Sequence, residues 1–297
     1  MRQDIFVREV IAKCDVLKKA GLWDKEPRIR PRAWLSNFAA EDQGVAAALL
    51  DKFTFYNSQL TDTLFVAAFN SLGDGLSKGP AAPVRDQLLL GLTSAVIAPV
   101  TGEVPNPTDS GYLVCRKLRQ LLNIDQEQIL DWPAALEHAY HGKTVVFADD
   151  FIGSGDQFLK TWERELTSGR SFKDANSKTG FVAIYISAVS ADYGLSEINK
   201  RAPTVAVCTA HILTKSGSYR SLINSGEFSE QNFESFIRKY GPRLRPKDTY
   251  MLKDEYVLYG YKNRGLMFGF DHSIPDATLP IFWSPGTSNW EPLIERR

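Results

Sequence analysis

The stretch from Lys143 to Leu159, K-T-V-V-F-A-D-D-F-I-G-S-G-D-Q-F-L, constrains this chain more than any other. Thr144 to Ala148 is a short apolar, β-branched run that predicts a buried strand. Asp149 and Asp150 follow it, then Gly153, Ser154 and Gly155, then helical spacing at Phe158, Leu159, Trp162 and Leu166. Strand, acidic pair, glycine turn and helix together predict a phosphate-binding βα unit. Glycines let the backbone approach an anion closely, and the N–H groups of a new helix point at it. Two carboxylates beside that anion would repel a bare phosphate, so they suit sugar hydroxyls or a bound Mg²⁺. A ribose 5-phosphate, with its phosphate on the turn and its ribose over the acids, meets both conditions. A dinucleotide-binding turn would want a third glycine where Phe158 stands. No G-K-[ST] follows the glycines, which excludes a Walker loop. A purely structural strand–turn–helix with solvated acids stays open.

The rest of the chain fits around this unit. Residues 4 to 20 have helical spacing, Pro27 to Arg32 reads as a solvated, arginine-bearing linker, and Asp42–Phe53 and Gln59–Leu72 read as helices around the aromatic turn Phe53–Asn57. Gly73 to Pro83 is rich in glycine and proline and predicts a boundary. Beyond it, strands and helices alternate. Strands are expected at Ser94–Ala98, Gly180–Ser190 and Pro203–Ala210, and helices at Tyr112–Leu122 and Ala191–Arg201. That order predicts a parallel α/β sheet with right-handed crossovers and a ligand at the carboxyl ends of its strands. In the last third, Glu230–Lys239 reads as a helix, and Tyr256–Tyr261 with Leu266–Phe270 as a hairpin. The aromatic, proline-rich Asp271–Ser284 segment reads either as a hood over a base or ring or as a tail packed on the sheet.

The 297 residues carry 35 basic and 35 acidic side chains, so net charge gives no reason to expect nucleic acid or an acidic membrane surface. Three widely spaced cysteines form no metal-ligand pattern, and no apolar run approaches membrane-spanning length. A cytoplasmic protein is expected, with no metal ligands assigned. Arg28, Arg30 and Arg32 leave a nucleic-acid-binding module as a minor alternative.

The run Val145 to Gln157 resembles the PRPP-binding motif of type I phosphoribosyltransferases: apolar strand, acidic pair, two apolar residues, small-residue phosphate loop. The resemblance implies that Asp149 and Asp150 take the ribose hydroxyls of phosphoribosyl pyrophosphate (PRPP). Gly153, Ser154, Gly155, Asp156 and Gln157 would hold its 5-phosphate, with Mg²⁺ on the pyrophosphate. A second, pyrophosphate loop is expected in the 99–111 segment, with Thr101, Ser110 and Gly111 as donors and Arg116 or Lys117 as cation. Three positions depart from the motif. Gln157 stands where Thr or Ser is usual, Phe151 is bulky, and Asp156 adds a negative charge. Pro31–Phe38, Asp149–Gly155 and Thr278–Trp283, with Trp290, Pro292 and Leu293, are similar to the phosphoribosyltransferase-like proteins of bacterial conflict and antiphage (retron-type) defence systems.

The fold so implied is a Rossmann-like parallel sheet of the phosphoribosyltransferase type. It would span residues 76–297, with an N-terminal helical appendage at 1–75 and a C-terminal β-rich hood. The implied function is binding of PRPP or a related nucleotide by a defence effector or accessory protein. If catalytic, such a protein would be a phosphoribosyltransferase, or a PRPP or nucleotide hydrolase. The alternative is a non-catalytic PRPP or nucleotide sensor that binds a partner protein.

Overall fold

The computed structural model describes residues 2–71, 95–102, 109–166, 169–244, 254–286 and 289–296. The chain divides into two compact units, Met1–Leu60 with Thr214–Arg297, and Thr61–Leu213. This division differs from the expected one, because the N-terminal helices share a unit with the C-terminal third. The expected boundary at Gly73–Pro83 lies outside the described residues.

Helix α1 (Arg2–Lys19) buries Val10, Ile11 and Cys14, one face of a helical repeat. Pro31 opens α2 (Pro31–Leu35) at a position where its missing N–H costs nothing. Helix α3 (Gln43–Lys52) buries the whole run Ala46–Leu50. Strand β1 (Thr54–Tyr56) follows, and then α4 (Ser58–Asn70), whose start is capped by the Asn57 side chain accepting from the Leu60 N–H at 2.8 Å.

The second unit contains β2 (Val96–Pro99), α5 (Ser110–Leu122), α6 (Trp132–Tyr140), β3 (Val145–Ile152) and α7 (Asp156–Glu163). It continues with α8 (Phe172–Thr179), β4 (Ala183–Ala191), α9 (Asp192–Arg201) and β5 (Val205–Leu213). The four strands form one parallel sheet in the order β2-β3-β4-β5. With an order that follows the sequence, right-handed crossovers would bring α6 to α9 to one face. Leu136 of α6, Phe158 of α7, Phe172 of α8 and Ile198 of α9 indeed share one core with Phe147 and Tyr185, while the buried Val114, Cys115 and Leu118 of α5 are not part of that core. Strand β4 is buried along its full length and β3 along nearly all of it, hence their apolar sequences.

Register places the acids. Pro99, the last residue of β2, lies opposite Ala148, while β3 runs on against β4 with Asp149 opposite Ser187 and Phe151 opposite Val189. The strand therefore continues through the acidic pair to Ile152, where the sequence suggested that it ends at Ala148. Asp149 and Asp150 extend beyond the end of β2, beside the segment that leaves it. Helix α7 stops at Glu163, so Leu166 lies beyond it.

The chain returns to the first unit with α10 (Arg220–Asn224), α11 (Glu230–Tyr240), α12 (Asp254–Tyr259), β6 (Phe268–Phe270) and α13 (Pro280–Trp283). The expected hairpin is absent: Tyr256–Tyr259 is helical, and β6 pairs in parallel with β1, inside the segment read as a turn. Among the described residues this third of the chain is mainly helical rather than β-rich. Its Thr278–Trp283 run forms core, not a hood. Trp34 Nε1 donates to the Ile281 carbonyl at 2.8 Å, and the Trp34 and Phe282 rings stack at 5.2 Å. Nor is Pro27–Arg32 a solvated linker. Ile29 is fully buried and bridges to Ile294, Arg30 pairs with Glu291 and Glu295, and Arg32 pairs with Asp15.

No helix among the described residues is long and apolar enough to cross a membrane. Phe282 joins both ends of the chain through Trp34 and Phe53. Phe282→Ala is expected to cost about 3–5 kcal/mol, read as a lowered urea midpoint by tryptophan fluorescence.

Candidate functional site

The acidic pair, the glycine turn and the start of α5 meet at the carboxyl end of β3. Asp149 and Asp150 are 1% and 5% exposed. Burying a carboxylate is costly unless donors surround it, and Asp149 has three. Its Oδ1 accepts from Ser110 Oγ and from the Asp150 N–H, both at 2.9 Å, and its Oδ2 accepts from the Tyr185 hydroxyl at 3.3 Å. Even so, burial holds the Asp149 carboxyl well above the usual carboxylate range, and the charge of Asp150 and a hydrogen bond between the two carboxyls push the same way. The donations from Ser110 and the Asp150 N–H oppose this. Burial likewise raises the Tyr185 phenol, with Asp149 adding to the effect. On the neighbouring strand, Ser187 Oγ donates to the Asp150 carbonyl at 3.2 Å.

The turn is built by close approach. Gly155 adopts φ +80°, a left-handed conformation suited to glycine, and caps α7. A Cβ on Gly194 of α9 would lie 2.5 Å from the Gly153 carbonyl oxygen, so α9 backbone rests directly on the turn. Ser154, Asp156 and Gln157 are half-buried, and Ser154 Oγ accepts from the Asp156 N–H at 3.3 Å. The first N–H groups of α7 have no partner within their helix, so this end can receive an anion. Asp156 in the first turn works against that.

The segment after β2 is fastened at both described ends. Thr161 Oγ1 of α7 donates to the Thr101 carbonyl at 3.1 Å and accepts from the Thr101 N–H at 3.3 Å. Arg164 donates to Thr101 Oγ1 at 2.8 Å and to the Gly102 carbonyl. The Gly102 N–H donates to Asp109 Oδ2 at 3.0 Å, which draws the two ends together. Gly111 packs so tightly on Val100 that a Cβ there would overlap its carbonyl oxygen.

The residues expected to hold pyrophosphate are thus partly engaged within the protein. Thr101 serves Arg164, Ser110 serves Asp149, and Lys117 pairs with Asp62 at 2.6 Å. Arg116 is exposed on α5, and residues 103–108 of that segment lie outside the described residues. Thr161, Arg164, Tyr185 and Gly194 escaped sequence reasoning. Each acts through a contact distant in sequence, and none sits in a motif. Among the described residues no group of three His, Cys, Asp or Glu could hold a metal ion by itself.

The Asp149 environment sets a pH dependence. Its folded carboxyl titrates above its unfolded value near 3.8, so its stabilisation is complete below that pH. It is lost as pH rises through the folded value. Asparagine keeps the Oδ1 acceptor and turns an amide toward Tyr185 and Asp150. Asp149→Asn is therefore expected to melt no lower than the native protein at neutral pH, with its relative advantage shrinking as pH falls toward 4. Melting curves across that range check this.

A family model described as PRTase-CE matches residues 31–296 of the chain. No curated protein matches it. The match covers the whole second unit and the first from residue 31, leaving α1 outside, and includes the acidic pair, the glycine turn and the segment after β2. The chain belongs to the PRTase-CE family and is a phosphoribosyltransferase-like protein.

Proposed function

We propose that the protein binds PRPP, or a related ribose 5-phosphate or nucleotide, at the carboxyl end of β3. One observation carries this reading: in a phosphoribosyltransferase-like chain, a buried acidic pair stands two residues before a Gly-Ser-Gly turn that opens a helix. The 5-phosphate would lie on residues 153–157 and the ribose against the acids. Mg²⁺ would arrive on the pyrophosphate, because the described residues offer no cage of their own. Its chemistry there would be neutralisation of the phosphate charge. If the site turns its ligand over, the reaction is displacement at the ribose C1, eased by holding the sugar in place as positive charge develops. The acceptor would be a base, a side chain or water.

A second reading, a non-catalytic PRPP or nucleotide sensor, draws on Asp156 and Gln157 in the phosphate turn and on the engagement of Thr101, Ser110 and Lys117. Work beside a partner protein in bacterial antiphage defence is proposed on the resemblance alone.

Melting with and without PRPP and Mg²⁺ tests the site. Ligand at a hundred times its dissociation constant should stabilise the native protein by about 2.7 kcal/mol, and the Asp149→Asn, Asp150→Asn double variant should show no shift. An unshifted native protein would end the reading. Pyrophosphate release that vanishes in Asp150→Asn would identify the enzyme; binding without release, the sensor.

A further inference from the structure

Resting on the ribose phosphate reading of this same site, we infer that Arg164 and Thr161 are positioning residues for the part of a ligand that extends past the ribose. They fix the segment between β2 and α5, and through it they set how the protein tells PRPP from ribose 5-phosphate.

The contacts reach that segment from the far end of the helix that the phosphate turn opens. Thr161, fully buried in the last turn of α7, accepts from the Thr101 N–H at 3.3 Å and donates to the Thr101 carbonyl at 3.1 Å. Arg164, which caps α7, donates from one nitrogen to Thr101 Oγ1 at 2.8 Å and from the other to the Gly102 carbonyl. A planar guanidinium can span two successive residues in this way, and an ammonium cannot. It also lies over the Trp132 ring, 5.5 Å from the centroid, and Trp132 Nε1 donates to the Thr161 carbonyl at 3.4 Å. Burial lowers the pKa of Arg164, and the charge of Asp109 opposes that shift. Asp109 accepts from the Gly102 N–H at 3.0 Å and immediately precedes α5. Arg164 therefore serves both described feet of the segment, 101–102 and 109. Every hydrogen-bonding group of Thr101 and Gly102 is engaged within the protein, so these two residues hold the segment rather than the ligand.

Their place in the sheet gives this a consequence for ligand choice. Strands β2 and β4 lie on opposite sides of β3. From the β4 side, α9 rests on the phosphate turn. From the β2 side, the start of α5 borders the acids, with Ser110 Oγ 2.9 Å from Asp149. A ribose over the acids with its phosphate on the turn has the β2–α5 segment as its other neighbour. A group carried on C1 reaches that segment, and ribose 5-phosphate ends short of it.

Calorimetric titration of PRPP and of ribose 5-phosphate, with Mg²⁺ present, tests this on the full chain. Arg164→Gln and Thr161→Val are expected to weaken PRPP roughly tenfold while ribose 5-phosphate changes by less than about threefold. Thr161→Ser keeps the hydroxyl and should bind both ligands as the native protein does. Arg164→Lys keeps the charge but not the fork, and should stay weak for PRPP. Equal loss of both ligands in Arg164→Gln and Thr161→Val would overturn the inference, as would undiminished PRPP affinity in both. Full recovery in Arg164→Lys would also overturn it, because charge alone would then suffice. A ligand-free measurement separates this inference from the reading beneath it. Hydrogen exchange of the Thr101 and Gly102 amides should quicken in Arg164→Gln and Thr161→Val and stay native in Thr161→Ser. Should the native protein bind neither ligand, the ribose phosphate reading fails. The exchange pattern still decides whether Arg164 and Thr161 fix the segment, and native exchange in both variants would reject it.

Discussion

The buried Asp149 carboxyl is the point on which the second unit's carboxyl-end architecture depends. It lies where β3 has outrun β2, so the ladder on that side has ended and a helix start takes its place. Removing a carboxylate from water is costly, and the protein offsets it with a hydroxyl from α5, a main-chain N–H from β3 and a phenol from β4. Those three donors come from three different elements, so satisfying one acid fixes their mutual positions. Its raised titration follows from the same burial.

Close backbone contact extends that constraint to the phosphate turn. Gly194 allows α9 to rest on the Gly153 carbonyl, and Gly111 allows α5 to rest on Val100. Side chains at either position would force the helices away from the sheet end. Thr161 and Arg164 then join the α7 region to the end of β2. The result is a set of helix starts and loop feet around the acids, fixed mostly by contacts that no ligand supplies. Such preorganisation lowers the cost of ordering a site when a ligand binds.

The sequence discloses the parts of this that are local. The β-branched run before Asp149, the glycines after it and the Phe158–Trp162 spacing predict β3, the turn and α7, because burial on both faces and helical periodicity leave direct marks. The unit boundaries are less legible. Strands β1 and β6 are three residues each and pair across most of the chain, so neither carries a periodic signal long enough to read. Tyr256–Tyr259 has β-favouring aromatics, yet tertiary packing makes it helix. Its place in the sequence makes Ser110 a donor for a ligand, but only the fold reveals that its hydroxyl turns to Asp149. The arginines near Pro27 resemble a solvated run until their acidic partners, some from the far end of the chain, come into view.

If β3 ends in a ribose phosphate site, one ligand must engage the acidic pair and the glycine turn together. A crystal structure of the protein grown with PRPP and Mg²⁺ tests it most directly. The 5-phosphate is expected on the N–H groups of residues 153–157 and the ribose hydroxyls on the acidic pair. PRPP bound elsewhere, or bound without contact to either acid, would contradict the site.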